Sequence, residues 1–281
     1  MRERGKALNS ETERPSIQTP LRQGDIIKLE GDKQGPTASD LGVIINADCD
    51  LAHNKTDGVI AYLPIYRFKS YLENFWAGDH VDDLREALFK QVQRICALED
   101  GDKDNLERWI VISDPNEISE KLSSNHNLKP NQKQQLSDAV KRLRLCLDPK
   151  HRPFDTFLEF CRCESDPIKH ARKQVANAKK AIGEGHFFVS EIVGEPDVGF
   201  VIRMRRIYTI DAASCFTSIP ALQTSSIASA QTAYRLAALT PIYRYRVAQL
   251  FAQQFSRIGL PDEMTALSDL AIDDIISPLA R

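Results

Sequence analysis

Two carboxylates, a thiol and an imidazole stand within one short stretch, Asp48-Cys49-Asp50-Leu51-Ala52-His53. It follows Leu41-Gly-Val-Ile-Ile-Asn-Ala47, a continuous apolar run, so a rigid element would deliver reactive side chains into a polar loop closed by Gly58. Three chemistries suit these residue types. Asp48 could attack phosphorus while Asp48 and Asp50 hold a divalent cation. Cys49 could act as a nucleophile with His53 as base, although flanking carboxylates raise a thiol pKa rather than lower it. Asp48, Asp50 and His53 could together ligate a metal. The structural alternative is that both aspartates bind loop backbone in Asx turns while Cys49 points inward. The catalytic candidates are therefore Asp48, Cys49, Asp50 and His53.

Cys161-x-Cys163, with His151 before it and His170 after it, also has metal-binding residue types. Structural zinc uses two tight ligand pairs, and this spacing supplies one, so no metal is assigned. Gly183-Glu-Gly185 lacks the Gly-Lys-Ser/Thr of a phosphate loop, and no cofactor is implied. Basic residues gather over 141–152, over 169–180, and at Arg203, Arg205 and Arg206. If these faces converge, Arg142, Arg144, Arg203 and Arg205 would contact phosphates. On a single amphipathic helix such charge is ordinarily a solvated face. Tyr243-Arg-Tyr-Arg246 alternates rings and cations, but half of them must face inward on a helix, so core packing explains them better.

The bulk numbers set bounds. At 281 residues, 42% hydrophobic and 27% charged, the chain is long enough to bury a substantial core. A net charge of −2 argues against wholesale polyanion binding and leaves room for a local basic face. No apolar run is long enough to span a bilayer, and residues 1–20 lack a secretory leader's apolar segment, so no membrane is expected and the cytoplasm is the expected location. The six cysteines (49, 96, 146, 161, 163 and 215) form no compact framework and should be reduced thiols.

The positioning elements follow from pattern. Residues 1–20, polar and without aromatics, read as a disordered tail. Strands are expected at 24–30, at 41–47 covered on both faces, and at 59–63, stopped by Pro64. Val81, Leu84, Leu88, Val92 and Ile95 mark a helix, as do Leu136, Val140, Leu143 and Leu147. A third helix runs from a Ser165 cap through Pro167 to Gly183. Between these, Arg108–Ser113 looks strand-like. Strands return at 186–193, 198–202 and 206–210, residues 214–231 look irregular, and a long helix begins after Thr240 with Tyr243, Val247, Leu250, Phe251, Phe255 and Ile258 inward. The assembly is α+β: a small β-barrel (21–66 and 186–212) interrupted by a mainly helical insertion (67–185), then C-terminal helices (232–281).

Gly24-Asp-Ile-Ile-Lys-Leu, Leu41-Gly-Val-Ile-Ile-Asn-Ala and Val59-Ile-Ala-Tyr-Leu-Pro64-Ile65 together resemble the opening of the PemK/MazF-like proteins, SH3-like barrels that include ribonuclease toxins of toxin–antitoxin pairs. The resemblance covers about 45 residues and implies an SH3-like barrel. Leu41-Gly42 stands where that pattern has Arg-Pro, and Tyr66 where it has Ser or Thr, so its ribonuclease chemistry does not carry over. Asp48-x-Asp50 resembles the nucleophile motif of haloacid-dehalogenase-like phosphatases, with Leu51-Ala52 replacing Thr-Leu and without the alternating βα pattern. Asn46-Ala-Asp-Cys-Asp-Leu51 and the closing 246–261 segment resemble bacterial proteins of stress or anti-phage defence loci. The function expected is an accessory, partner-binding barrel protein of a bacterial stress, toxin–antitoxin or anti-phage defence system. The alternatives are a hydrolase or nuclease centred on Asp48-Cys49-Asp50, or a nucleic-acid-binding module. A protein partner is the first expectation and nucleic acid the second.

Overall fold

Ile26 and Ile27, adjacent in sequence, fall into two different hydrophobic clusters, and this alternation organises the sheet. The computed structural model describes residues 10–31, 39–183, 185–227 and 229–255. Its strands are β1 (Thr12–Glu13), β2 (Asp25–Gly31), β3 (Leu41–Ile44), β4 (Val59–Arg67), β5 (His186–Glu191), β6 (Val198–Arg203), β7 (Tyr208–Asp211), β8 (Cys215–Phe216) and β9 (Gln231–Leu239). They form one sheet in the order β1-β9-β2-β3-β4-β6-β5, with β7 beside β4 and β8 beside β9. Every pairing is antiparallel except β8 with β9. The helices are α1 (Asp48–Ala52), α2 (Phe68–Tyr71), a π-helix (Leu72–Trp76), α3 (Ala77–Cys96), α4 (Lys103–Ile112), α5 (Pro115–Asn125), α6 (Pro130–Leu147), α7 (Pro153–Arg162), α8 (Pro167–Lys180), α9 (Ile219–Gln223) and α10 (Pro241–Phe255). The chain is α+β, and none of its helices is long and apolar enough to cross a membrane among the described residues.

Both faces of the sheet are covered, as the apolar run of β3 predicts. Val43, Leu63, Ile65, Phe200, Ile202 and Ala237 pack on one face with Val247 of α10; Ile44, Ile60, Tyr62, Ile210 and Ala233 pack on the other. Gly42 belongs to this packing by necessity, because a Cβ there would stand 2.3 Å from the ring of Tyr62. β4 passes through Pro64 instead of stopping at it. Its outer ladder changes partner at that point, from β7 over 59–62 to β6 over 65–67, so a missing N–H costs little there. No backbone ladder joins β1 to β5 among the described residues, so the sheet is open where a closed barrel is expected. Side chains bring its ends together: Thr12 Oγ1 donates to Glu191 O (3.2 Å) and accepts from Val193 N (3.0 Å), while Glu11 accepts from Ser190 N. These bonds also blunt an edge strand that would otherwise offer its backbone to other chains.

Several other expectations are corrected. The tail is placed from Ser10 onward: Thr12 is buried in β1, and the carbonyls of Ser16, Thr19 and Pro20 accept from the buried Arg235. Residues 108–112 belong to α4, not to a strand. Leu106 and Ile110, one helical turn apart, enter the insertion's core, while Ile112 stays 81% exposed. Asp166, not Ser165, caps α8 by accepting from Lys169 N, and the helix ends at Lys180. Residues 231–239 form a central strand where an irregular connection and then helix are expected. The rest of the expected C-terminal helix, including Ile258 and Gly259, lies outside the described residues.

The helices between β4 and β5 bury a core of their own, with Leu88, Phe89 and Val92 of α3 against Ile110, Ile118, Leu136, Val140, Leu143 and Phe160. At one end of the sheet Arg67 bonds Asp40 (2.8 Å), Glu195 (2.7 Å) and Asp197 (2.6 Å), and Lys28 reaches the other oxygen of Glu195 (2.6 Å). The Glu195 side chain has no exposure, so two cations offset one buried carboxylate while β2, β4 and the β5–β6 turn are tied together.

Candidate anion-binding site

The Asp48–Ala52 stretch forms α1, a five-residue helix on a polar edge. Asp48 accepts from Gln23 N (2.7 Å) and lies 3.6 Å from the guanidinium of Arg244, so α1 is fastened to the β2 approach and to α10. Asp48 and Cys49 are exposed, and the Cys49 thiol sits 3.6 Å from Asp50 Oδ1. His53 follows the helix with its backbone N–H on Cys49 O. Its exposed ring touches none of the other three side chains among the described residues. Asp48 thus fastens α1 to a backbone N–H 25 residues away, Asp50 receives only the Cys49 thiol among the described residues, and Cys49 faces solvent where the Asx-turn alternative has it pointing inward. Among the described residues no group of three or more His, Cys, Asp and Glu side chains is placed to hold a metal. Cys161 is buried and Cys163 exposed, consistent with helix packing.

The four candidate phosphate contacts divide evenly. Arg142 pairs with Glu164 (3.0 Å), and Arg144 donates to the carbonyls of Ile110 and Val111, closing the C-terminus of α4. Both serve the insertion's architecture. Arg203 and Arg205 stand elsewhere, at the β6–β7 turn with Arg206, where buried Met204 forces its neighbours outward. None of these three has a carboxylate partner among the described residues. Arg203 lies 4.0 Å over the ring of Phe75, Arg205 bonds Gln254 (3.3 Å) at the end of α10, and Arg206 lies 5.7 Å over Tyr208. The Nε of Arg203 is buried and unbonded.

Sequence reasoning finds the arginines but misses the rings around them. The π-helix brings them together: its wide turn sends Phe75 and Trp76, adjacent in sequence, to different bodies. Phe75 packs on Tyr66 of β4 (4.9 Å, edge-on), whereas Trp76 stacks on His80 (4.3 Å) and meets Phe157 of the insertion. Tyr71 completes the wall against His186 of β5 (5.3 Å), and Phe68 meets Phe188 (5.4 Å), over which Lys179 sits at 4.2 Å. Only the change of composition after Tyr66 hints at this joint; a π-turn has no sequence signature that would reveal it.

The electrostatics suit an anion. Burial, then the Arg203 and Arg205 cations, pushes the His186 imidazole down to about 4, so it is neutral at pH 7. Burial pushes the Tyr66 and Tyr71 phenols up and keeps them protonated, with Arg203 pulling each partly back. The corner therefore presents guanidinium and hydroxyl donors beside half-buried rings, with the Asp79 carboxylate close enough to Tyr71 to help raise its phenol. No family model, no curated protein and no solved structure matches the chain.

Proposed function

We propose that this chain is an accessory binding protein of a bacterial stress, toxin–antitoxin or anti-phage defence system, and that its ligand is nucleic acid held at the Arg203–Arg205–Arg206 corner. One observation carries the reading: three arginines at one turn lack carboxylate partners among the described residues, and two of them lie over rings, Arg203 over Phe75 and Arg206 over Tyr208. Arg67, Arg85, Arg142, Arg162, Arg235 and Arg244 pair with carboxylates, while Arg144 and Arg246 turn their guanidinium groups to carbonyls and to Gln249. Cations left unpaired beside rings fit phosphate and base together. The bacterial setting rests on the resemblance of Asn46–Leu51 and of 246–261 to defence-associated proteins. The sheet is best read as an SH3-like barrel left unzipped at one seam, where Thr12 bridges the two ends.

A salt titration of binding to labelled RNA and DNA tests the reading. Three phosphate contacts predict a slope of roughly −2 for log affinity against log salt on single strands. Arg205→Glu with Arg206→Glu should abolish binding. Cleavage of the nucleic acid that Asp48→Asn eliminates would overturn it in favour of a nuclease centred on α1.

A further inference from the structure

We infer that the ligand of the arginine corner is single-stranded, with at least one unstacked base seated against the ring wall of Tyr71, Phe75 and His186. The inference rests on the proposed nucleic-acid reading and narrows it. The rings are the reason. Tyr71, Phe75, His186 and Tyr208 are each only half-buried, although they sit where the sheet and the insertion meet and full burial would be favourable. Phe75 packs edge-on with Tyr66 and lies under Arg203, and Tyr71 meets His186 edge-on and stacks on Phe68 (6.4 Å), yet Tyr71, Phe75 and His186 each keep part of the ring in solvent. Arg203, 4.0 Å over Phe75, adds a guanidinium group that can also stack on a base. A duplex keeps its bases inside and would use only the exposed Arg205 and Arg206. A single strand offers phosphate to those two and a base to the rings, so it alone uses the whole corner.

The test uses the full chain and four labelled probes of equal length: oligo-dT, oligo-rU, an abasic strand with the same phosphates, and a duplex. The expected result is that dT or rU binds at least tenfold more tightly than the abasic strand and the duplex; the ratio of dT to rU separates DNA from RNA. Tyr71→Leu should erase that preference, and Arg205→Glu should weaken all four. Equal affinity for the abasic strand or the duplex overturns the inference and leaves the proposed function standing. Binding to none of the four overturns both. The comparison among probes needs no variant, so a Tyr71→Leu protein that failed to fold would not remove the test.

Discussion

The guanidinium of Arg203 stands 4.0 Å over the ring of Phe75, so a strand of the sheet and the π-turn leading into the insertion meet through one cation and one ring. The stacking holds the guanidinium in place without neutralising it. Phe75→Leu keeps apolar bulk and removes the π face. A cation–π contact of this kind contributes about 1 kcal/mol, so nucleic-acid affinity should fall roughly fivefold. Fluorescence anisotropy reads that loss, and a thermal melt should show only a small shift in Tm. A melt that collapses while affinity per folded molecule is unchanged would contradict the link.

His186 makes stability depend on acid. Its folded-state pKa of about 4 lies below the ordinary 6.5, so the unfolded chain takes up the proton first. Stability should therefore decline as pH falls from about 6.5 toward about 4, by at most about 3 kcal/mol. The wild-type urea midpoint should drop across that window, and His186→Gln should flatten the drop. Anion binding would offset the Arg203 and Arg205 charges that hold the imidazole neutral, so a bound oligonucleotide should shift the titration of His186, followed by NMR, upward.

Gly42 sits where the core leaves no room for a side chain. A methyl group 2.3 Å from Tyr62 Cδ2 has nowhere to go, because Tyr62 is buried and stacked on Tyr208 at 5.8 Å. Gly42→Ala should cost roughly 1–3 kcal/mol through overpacking. Chemical denaturation should show the loss, and adding Tyr62→Leu should recover part of it.

Much of the strand framework was legible because β2, β3 and β4 combine β-branched residues with Gly-rich turns. The long stripes of α3 and α6 were legible for the same kind of reason. β9 was not: Gln231-Thr-Ala-Tyr-Arg-Leu-Ala-Ala-Leu239 is rich in alanine, and its role as a central strand comes from close packing between β2 on one side and β1 and β8 on the other. α4 was misread because Trp109-Ile-Val-Ile112 has strand composition, while its burial follows a helical turn. At the candidate site, Arg203 and Arg205 could be picked out from sequence, yet Arg142 and Arg144, equally basic, turned out to serve the insertion. Charge is visible in a sequence. Whether a partner neutralises it depends on contacts between residues far apart in the chain.

Arg235 is the case where the partner is everything. Its guanidinium is almost wholly buried and donates to Asp25 Oδ2 (3.1 Å) and to the carbonyls of Ser16, Thr19 and Pro20 (2.8–2.9 Å). Burial still raises the Asp25 carboxyl above its ordinary value, with backbone and Arg235 hydrogen bonds pulling against it. Arg235→Met would strand that carboxylate and release residues 16–20, at a cost of about 3–5 kcal/mol near neutral pH. A carboxyl whose folded pKa is raised loses stability as pH climbs through it, so the variant's deficit should shrink on acidification. Limited proteolysis should cut residues 10–20 in Arg235→Met and spare them in the parent. Asp25→Asn added to Arg235→Met should restore part of the stability, because it removes the uncompensated charge while keeping the side chain's shape; no recovery would show that the bonds to residues 16–20, and not the stranded carboxylate, dominate the loss.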